Sequence, residues 1–316
     1  MAAEQRITEE IIVDGSDLPM WAIKKIEPMR SKVSGWVDAS SRSLDSYFGT
    51  DDFLDVDNRS YLRVSEELEW MDSEGFTNSI GTRFKVDMPT TKKRLKLVFE
   101  SNPEETQTEE EERNRRAANR DLEETKNSSV IGLEKSSDTD PKKAWRTRVN
   151  GGLKLRTPLD PYLRVSSRRM WEQKDGPWYL ESYNRASWFN SEGYSVRSRW
   201  ELNRRLSETS ILRFTSQLQW REEQDKMQFG QRVELSKVLN ARTVVRWAMI
   251  AELESASNLH VEDYYVQMNF RRDIHDEVLF LDFVPELHFA EEDEYDPRWA
   301  VILRLEFYFR ADFVKE

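Results

Sequence analysis

The chain has 316 residues, 34% of them charged and 38% hydrophobic, with a formal net charge of −11. That acidity argues against a nucleic-acid partner, because phosphate binding requires a basic surface. There is no cysteine, which excludes disulfides, thiol nucleophiles and cysteine metal sites.

No run of about 18 apolar residues is present, so the sequence predicts no transmembrane helix. The mean hydropathy of −0.79 is that of a soluble protein. A transmembrane barrel is compatible with it, because only alternate residues of its strands face lipid.

In chain order, the opening "MAAEQRITEE" has no apolar signal core, so an exported form implies that a leader has been removed or is absent. Residues 1–58 read as an N-terminal periplasmic segment. Within it, 31–48 place Trp36, Leu44, Tyr47 and Phe48 at helical spacing. This predicts an amphipathic helix whose aromatic stripe packs on its own protein, lies on a membrane surface, caps or plugs a barrel mouth, or meets a partner.

From residue 59 onward the period changes to two. Leu62, Val64, Leu68 and Trp70 alternate with Arg63, Ser65, Glu67 and Glu69, and similar runs continue to the C-terminus. One interruption, 102–127, is acidic and almost free of apolar residues, and it reads as a solvated, mobile insert. Turn signals such as "PTTKK", "KDGP", "NSEG", "LSET" and "EEDEYDP" separate the runs. The count is about fourteen strands, or twelve, each about 10–14 residues long against the usual five or six. A tilted strand of about 9–11 residues crosses a bilayer. The predicted fold is therefore all-β: a closed antiparallel transmembrane β-barrel over 59–316, preceded by the helix-bearing segment. Aromatic residues near run ends, among them Trp145, Trp178, Trp220, Tyr264 and Trp299, match interfacial girdles.

The last run, "RWAVILRLEFYFRADF", resembles the C-terminal signature of Gram-negative outer-membrane barrels, which alternates and ends on an aromatic. Phe309 or Phe313 fills that role, followed here by "VKE". The stretches "SLDSYFG", "NRSYLRV", "KVDMPTTKKRLKLVFES", "ELNRRLSETSILR" and "FLDFVPELHF" make the chain similar to a family of uncharacterised proteobacterial outer-membrane proteins. The resemblance implies a place, the bacterial outer membrane with its lipid and barrel-assembly machinery as partners. It implies no activity.

The face opposite the apolar one is rich in arginine: Arg146, Arg148, Arg185, Arg197, Arg199, Arg213, Arg221, Arg232, Arg246, Arg271 and Arg304. Acids are interleaved as Glu181, Glu201, Glu234, Glu252, Glu286 and Glu306. If water reaches this wall it favours small anionic or zwitterionic solutes. If the charges pair into a packed ladder, the barrel is closed. Catalytic patterns are lacking. The three histidines, His260, His275 and His288, have no metal-ligand spacing, and there is no GxSxG, P-loop or GxGxxG. The sequence thus predicts a porin-like channel without cofactor or metal. A closed barrel serving as a scaffold for an unidentified partner, and a soluble β-rich binding protein, are the alternatives.

Overall fold

The computed structural model describes residues 16–26, 60–72, 75–89, 95–101, 129–136, 145–155, 157–174, 176–223, 226–255 and 259–311. The helix expected at 31–48, with Trp36, Leu44, Tyr47 and Phe48, lies outside them, as do the insert 102–127 and Phe313. Of Phe309 only the backbone is described.

Fourteen antiparallel strands follow in order: β1 (Ser60–Met71), β2 (Gly75–Pro89), β3 (Leu95–Ser101), β4 (Ser129–Ser136), β5 (Trp145–Leu155), β6 (Asp160–Glu172), β7 (Trp178–Phe189), β8 (Gly193–Ser207), β9 (Ser210–Arg221), β10 (Lys226–Asn240), β11 (Thr243–Ser255), β12 (Leu259–His275), β13 (Leu279–Ala290) and β14 (Arg298–Ala311). Each pairs with its sequence neighbours. β1 also pairs with β14, from Ser60↔Ala311 to Met71↔Ala300, so the sheet returns on itself as a closed barrel. Closure supplies partners to backbone groups that an open sheet would leave at its edges. The turn at 208–209 lies at the same end as Ser60 and Ala311, and the strand ends flanking 102–127 lie at the other.

Burial is inverted relative to a water-soluble sheet. Asp263 and Asp282 are wholly buried and Glu234 nearly so, while Met249 is 65% exposed and Leu68 45%. Leu163, Val196, Phe214, Trp247, Phe283 and Leu303 are likewise exposed on their strands. Because side chains alternate across a strand, the buried polar face is the inside of the ring and the apolar face is its outside.

Apolar packing inside the ring is local. Tyr162 stacks on Phe189 with centroids 5.3 Å apart and donates to Asn150 Oδ1 at 2.6 Å. Val130 completes this cluster. The hydroxyl of Tyr162 lies against Gly132, and β4 and β5 approach closely at Gly132↔Gly152. A Cβ on Gly152 would come within 2.0 Å of the Ile131 carbonyl oxygen. Only glycine permits that approach. On the far side, Pro285 has no N–H, and the β12–β13 ladder is interrupted between Gln267↔Glu286 and Phe270↔Phe283.

The N-terminal helix in the described residues spans 20–26, a position the apolar spacing did not single out. It buries Ile23 and is tied to the rim that holds the β-chain ends. Ser16 bridges to His275, and its Oγ lies 2.8 Å from His275 Nδ1. Asp17 N–H donates to the Ile274 carbonyl at 2.8 Å, while its carboxylate accepts from Arg272 Nε at 2.7 Å and Arg242 Nη1 at 3.0 Å.

Two outcomes follow from these contacts. Gly152→Ala should lower barrel stability by about 1–3 kcal/mol, read as a reduced urea midpoint in detergent micelles. Gly230→Ala, where the new Cβ meets only the Gln217 Cβ at 3.8 Å, should change little. The Arg272 hydrogen bond, aided by the Arg242 charge and opposed by burial, holds the Asp17 carboxyl below its ordinary 3.8. A depressed carboxyl stabilises docking above its unfolded value and loses that effect as pH falls through the folded one. Amide-exchange protection at Asp17 should therefore persist from neutral pH to 3.8 and fall below it. Asp17→Asn should reduce it already at neutral pH, by less than about 1 kcal/mol because the pair is exposed.

Candidate functional site

The interior wall is built by period-two alternation on successive strands. β5 contributes Arg146, Arg148, Asn150 and Lys154, and β6 contributes Asp160, Tyr162, Arg164 and Arg168. β7 adds Glu181, Tyr183 and Arg185, β8 adds Arg197, Arg199 and Glu201, and β9 adds Arg213, Gln219 and Arg221. This arc is predominantly basic. From β11 through β14 to β1 the balance among the described side chains reverses. Glu252 and Glu254 on β11, Asp263 and Asp273 on β12, Asp282 and Glu286 on β13, Glu306 on β14, and Glu67 and Glu69 on β1 outnumber Arg246, Arg271, Arg304 and Arg63. β10, with Arg232 and Glu234, stands between the arcs.

Within each arc, like charges meet across strands. Arg146 is opposite Arg168, and Arg185 is opposite Arg197. In the acidic arc Glu252 is opposite Asp263. Opposed like charges destabilise a sheet.

Ion pairs offset part of that cost. Glu181 receives Arg168 through two nitrogens, at 2.6 and 2.8 Å. Glu201 lies 3.2 Å from Arg199 Nε and 3.8 Å from Arg213 Nε, and Arg213 also donates to Asn203 at 2.9 Å. Glu234 accepts from Arg232 at 2.7 Å and from Ser236 at 2.8 Å. Arg271 bridges Asp282 at 3.1 Å and Glu306 at 2.7 Å, with its guanidinium 4.4 Å from the Phe280 centroid. Arg304 reaches Glu67 at 2.6 Å across the closing β1–β14 ladder. His288 sits between Asp263 at 3.0 Å and Glu286 at 2.9 Å and stacks on Tyr265 at 4.5 Å. It is held on both nitrogens by carboxylates.

Accessibility is uneven. Arg164, Arg185, Arg199, Arg213 and Arg246 are buried, whereas Arg146 is exposed and Arg148, Arg197, Arg221, Arg232, Arg271 and Arg304 are half-buried. Near the terminus-side mouth the inward-facing Met170 is 43% exposed. Toward the other mouth a cavity of about 70 Å³ opens between the arcs, lined by Gln217, Gln228, Gly230, Arg232, Ile250 and Glu252. Gly230 leaves space there where neighbouring strands carry side chains.

All seventeen inward-facing arginines and glutamates singled out from the sequence share the ring's inner side, Glu252 half-buried and Glu181, Glu201, Glu234, Glu286 and Glu306 buried. Sequence reading missed their division into arcs. The signal was present, since interior arginines crowd 146–221 and interior acids crowd 252–306. It also missed the rim contacts of Ser16, Asp17, Arg242 and Arg272, for which nothing local in the sequence speaks. No group of three or more histidine, cysteine, aspartate or glutamate side chains suited to a metal occurs among the described residues.

No protein-family model matches the chain, and no curated protein matches it. Solved structures similar to it include a loop-deletion mutant of OmpT, an outer membrane protein of Vibrio cholerae, at 6% identity and TM-score 0.46, covering 79% of this chain and 98% of that one. Another is OccK11 (OpdR) of Pseudomonas aeruginosa, at 8% and 0.44, covering 80% and 96%. A third is the outer membrane channel DcaP of Acinetobacter baumannii, at 8% and 0.42, covering 79% and 96%. Likeness at this level carries no argument about function, which rests on the site itself.

Arg271→Met should cost about 3–5 kcal/mol, because it leaves the buried carboxylates of Asp282 and Glu306 without their shared cation. Adding Asp282→Asn should recover part of the loss. Urea midpoints of the single and double variants in micelles check both outcomes.

Proposed function

We propose that this chain is a bacterial outer-membrane channel whose charged lumen passes small zwitterionic or anionic solutes by diffusion. The observation that carries the reading is that, among the described side chains, the interior carries a basic arc over β5–β9 and an acidic arc over β11–β1. A ladder serving stability alone is best built from alternating signs. Opposed pairs such as Arg146 with Arg168 and Arg185 with Arg197 work against the fold by a few tenths to about 1 kcal/mol each. Sequences tolerate such local conflicts where function requires them.

Facing arcs of opposite sign set a field across the lumen. A solute carrying both charges aligns in it, and a small anion is drawn along the basic side. Exposure of Arg146 and Met170 at one mouth, and the cavity at Gly230 toward the other, support solvent entry from both ends. The exposed apolar outer face supports placement in a bilayer, since an apolar patch encircling the protein far exceeds what water-soluble surfaces carry. Insertion by barrel-assembly machinery, with Phe309 and Phe313 as its signal, belongs to the same reading.

A sealed barrel acting as a scaffold is the second reading. Burial of Arg185, Arg199, Arg213 and Arg246 favours it.

Single-channel recording in planar bilayers under a salt gradient separates the two. The channel reading expects discrete steps with an anion-leaning reversal potential. Arg146→Gln, Arg148→Gln and Arg197→Gln together should move that potential toward cation selectivity. Inserted protein without conductance favours the scaffold, and an unchanged reversal potential removes the basic arc from selectivity.

A further inference from the structure

On the outer face, β5, β6 and β8 bring together Trp145, Trp171 and Trp200. Trp145 meets Trp171 edge-on at 6.0 Å, and Trp171 stacks on Trp200 at 5.9 Å. Between the first two lies Arg169, its guanidinium 5.0 Å from the Trp145 centroid and 4.7 Å from that of Trp171. Arg169 is directly opposite Trp145 on β5 and Ser182 on β7.

This is an unusual place for a cation. Every interior arginine discussed above answers to the barrel's charge lattice, but Arg169 points away from it. Among the described residues it contacts two indoles and no carboxylate, and its Nε is buried without a hydrogen-bond partner. Beside it Ser182 is 0% exposed, and its Oγ also lacks a partner. Two adjacent buried polar groups on an outward face therefore have unmet hydrogen-bonding capacity. Such a group costs about 1–3 kcal/mol unless an acceptor reaches it, and of the two residues only the half-buried Arg169 is open to the outside.

We propose that Arg169, walled by Trp145, Trp171 and Trp200, forms a binding site for the phosphate of one anionic phospholipid headgroup. The inference rests on the membrane reading above. Three independent features point to this occupant. The site lies three residues from the terminus-side end of β6, about 10 Å along the strand. That is the depth of the headgroup boundary, where tryptophan and snorkelling arginine concentrate. Among the described residues Arg169 has no paired acid, and such a cation favours a phosphate. No acid is paired with Arg169 to hold a headgroup ammonium, which disfavours zwitterionic lipids. Its walls are flat aromatic faces that accept glycerol and the upper acyl chain while fixing the guanidinium by cation–π contact. The phosphate oxygens would accept from the guanidinium, as charge-assisted hydrogen bonds.

The test uses the full chain reconstituted in bilayers, with tryptophan fluorescence quenched by brominated phosphatidylglycerol or brominated phosphatidylcholine. The wild type should prefer the anionic lipid by about fivefold, the effect of one basic residue at a membrane surface. Arg169→Gln should bring the ratio close to one while both lipids still quench. Retained resistance to unfolding by detergent at room temperature verifies that the variants are folded. An unchanged ratio in Arg169→Gln overturns the headgroup site and leaves the membrane reading intact. Absence of quenching by either lipid overturns the membrane reading, and the site with it.

Discussion

The ladder between β1 and β14 removes the two edges that a sheet of this length would otherwise expose. Once the strands satisfy one another around a ring, the backbone makes few demands on either face. The side chains are then free to divide inside from outside in a sense opposite to a globular core. Met249, Leu68 and Leu303 can face outward, and Asp263, Glu234 and Arg246 can be buried. A hydrophobic core does not drive this arrangement. Its apolar interior packing is confined to groups such as Val130, Tyr162 and Phe189, so the outer apolar surface must find its partner outside the protein.

The charged interior follows from the same geometry but obeys a different logic. Removing an ion from water is expensive, and the compensation visible here is multiple pairing. Arg271 is shared by two acids, Glu201 by two arginines, and His288 by two carboxylates. Such sharing spreads the ordering cost of a long side chain over several contacts. It also makes each network sensitive to loss of its central member. The segregation of sign is what pairing alone does not account for.

Much of this was legible in the sequence, for a definite reason. A period of two is all that is needed to sort residues into two faces, and the alternation in β8 or β14 is unbroken for most of its length. Arg197, Arg199 and Glu201, or Arg304 and Glu306, could be placed together without knowing any register. What alternation does not carry is which residues stand opposite one another. The meeting of Arg185 with Arg197 depends on the length of the β7–β8 turn, and that of Arg304 with Glu67 joins opposite ends of the chain. Nor does periodicity mark Gly152, whose importance comes from a neighbouring carbonyl, or Arg169, whose outward direction shows only against the parity of its neighbour Arg168. The short helix at 20–26 offered too few turns for an apolar stripe to stand out.

Closure through the terminal strands also orders the barrel's formation in time. Ser60 meets Ala311, so this contact of the ring cannot form until β14 has been made. Hairpins such as β7–β8 can assemble early from near neighbours, but every intermediate before the final ladder carries two open strands. Until then the unpaired amides of β1 and β14 are free to recruit strands from other copies. The slow step and the hazardous species therefore belong to the same seam, and a factor that shelters β1 until β14 arrives would govern the yield of folded protein.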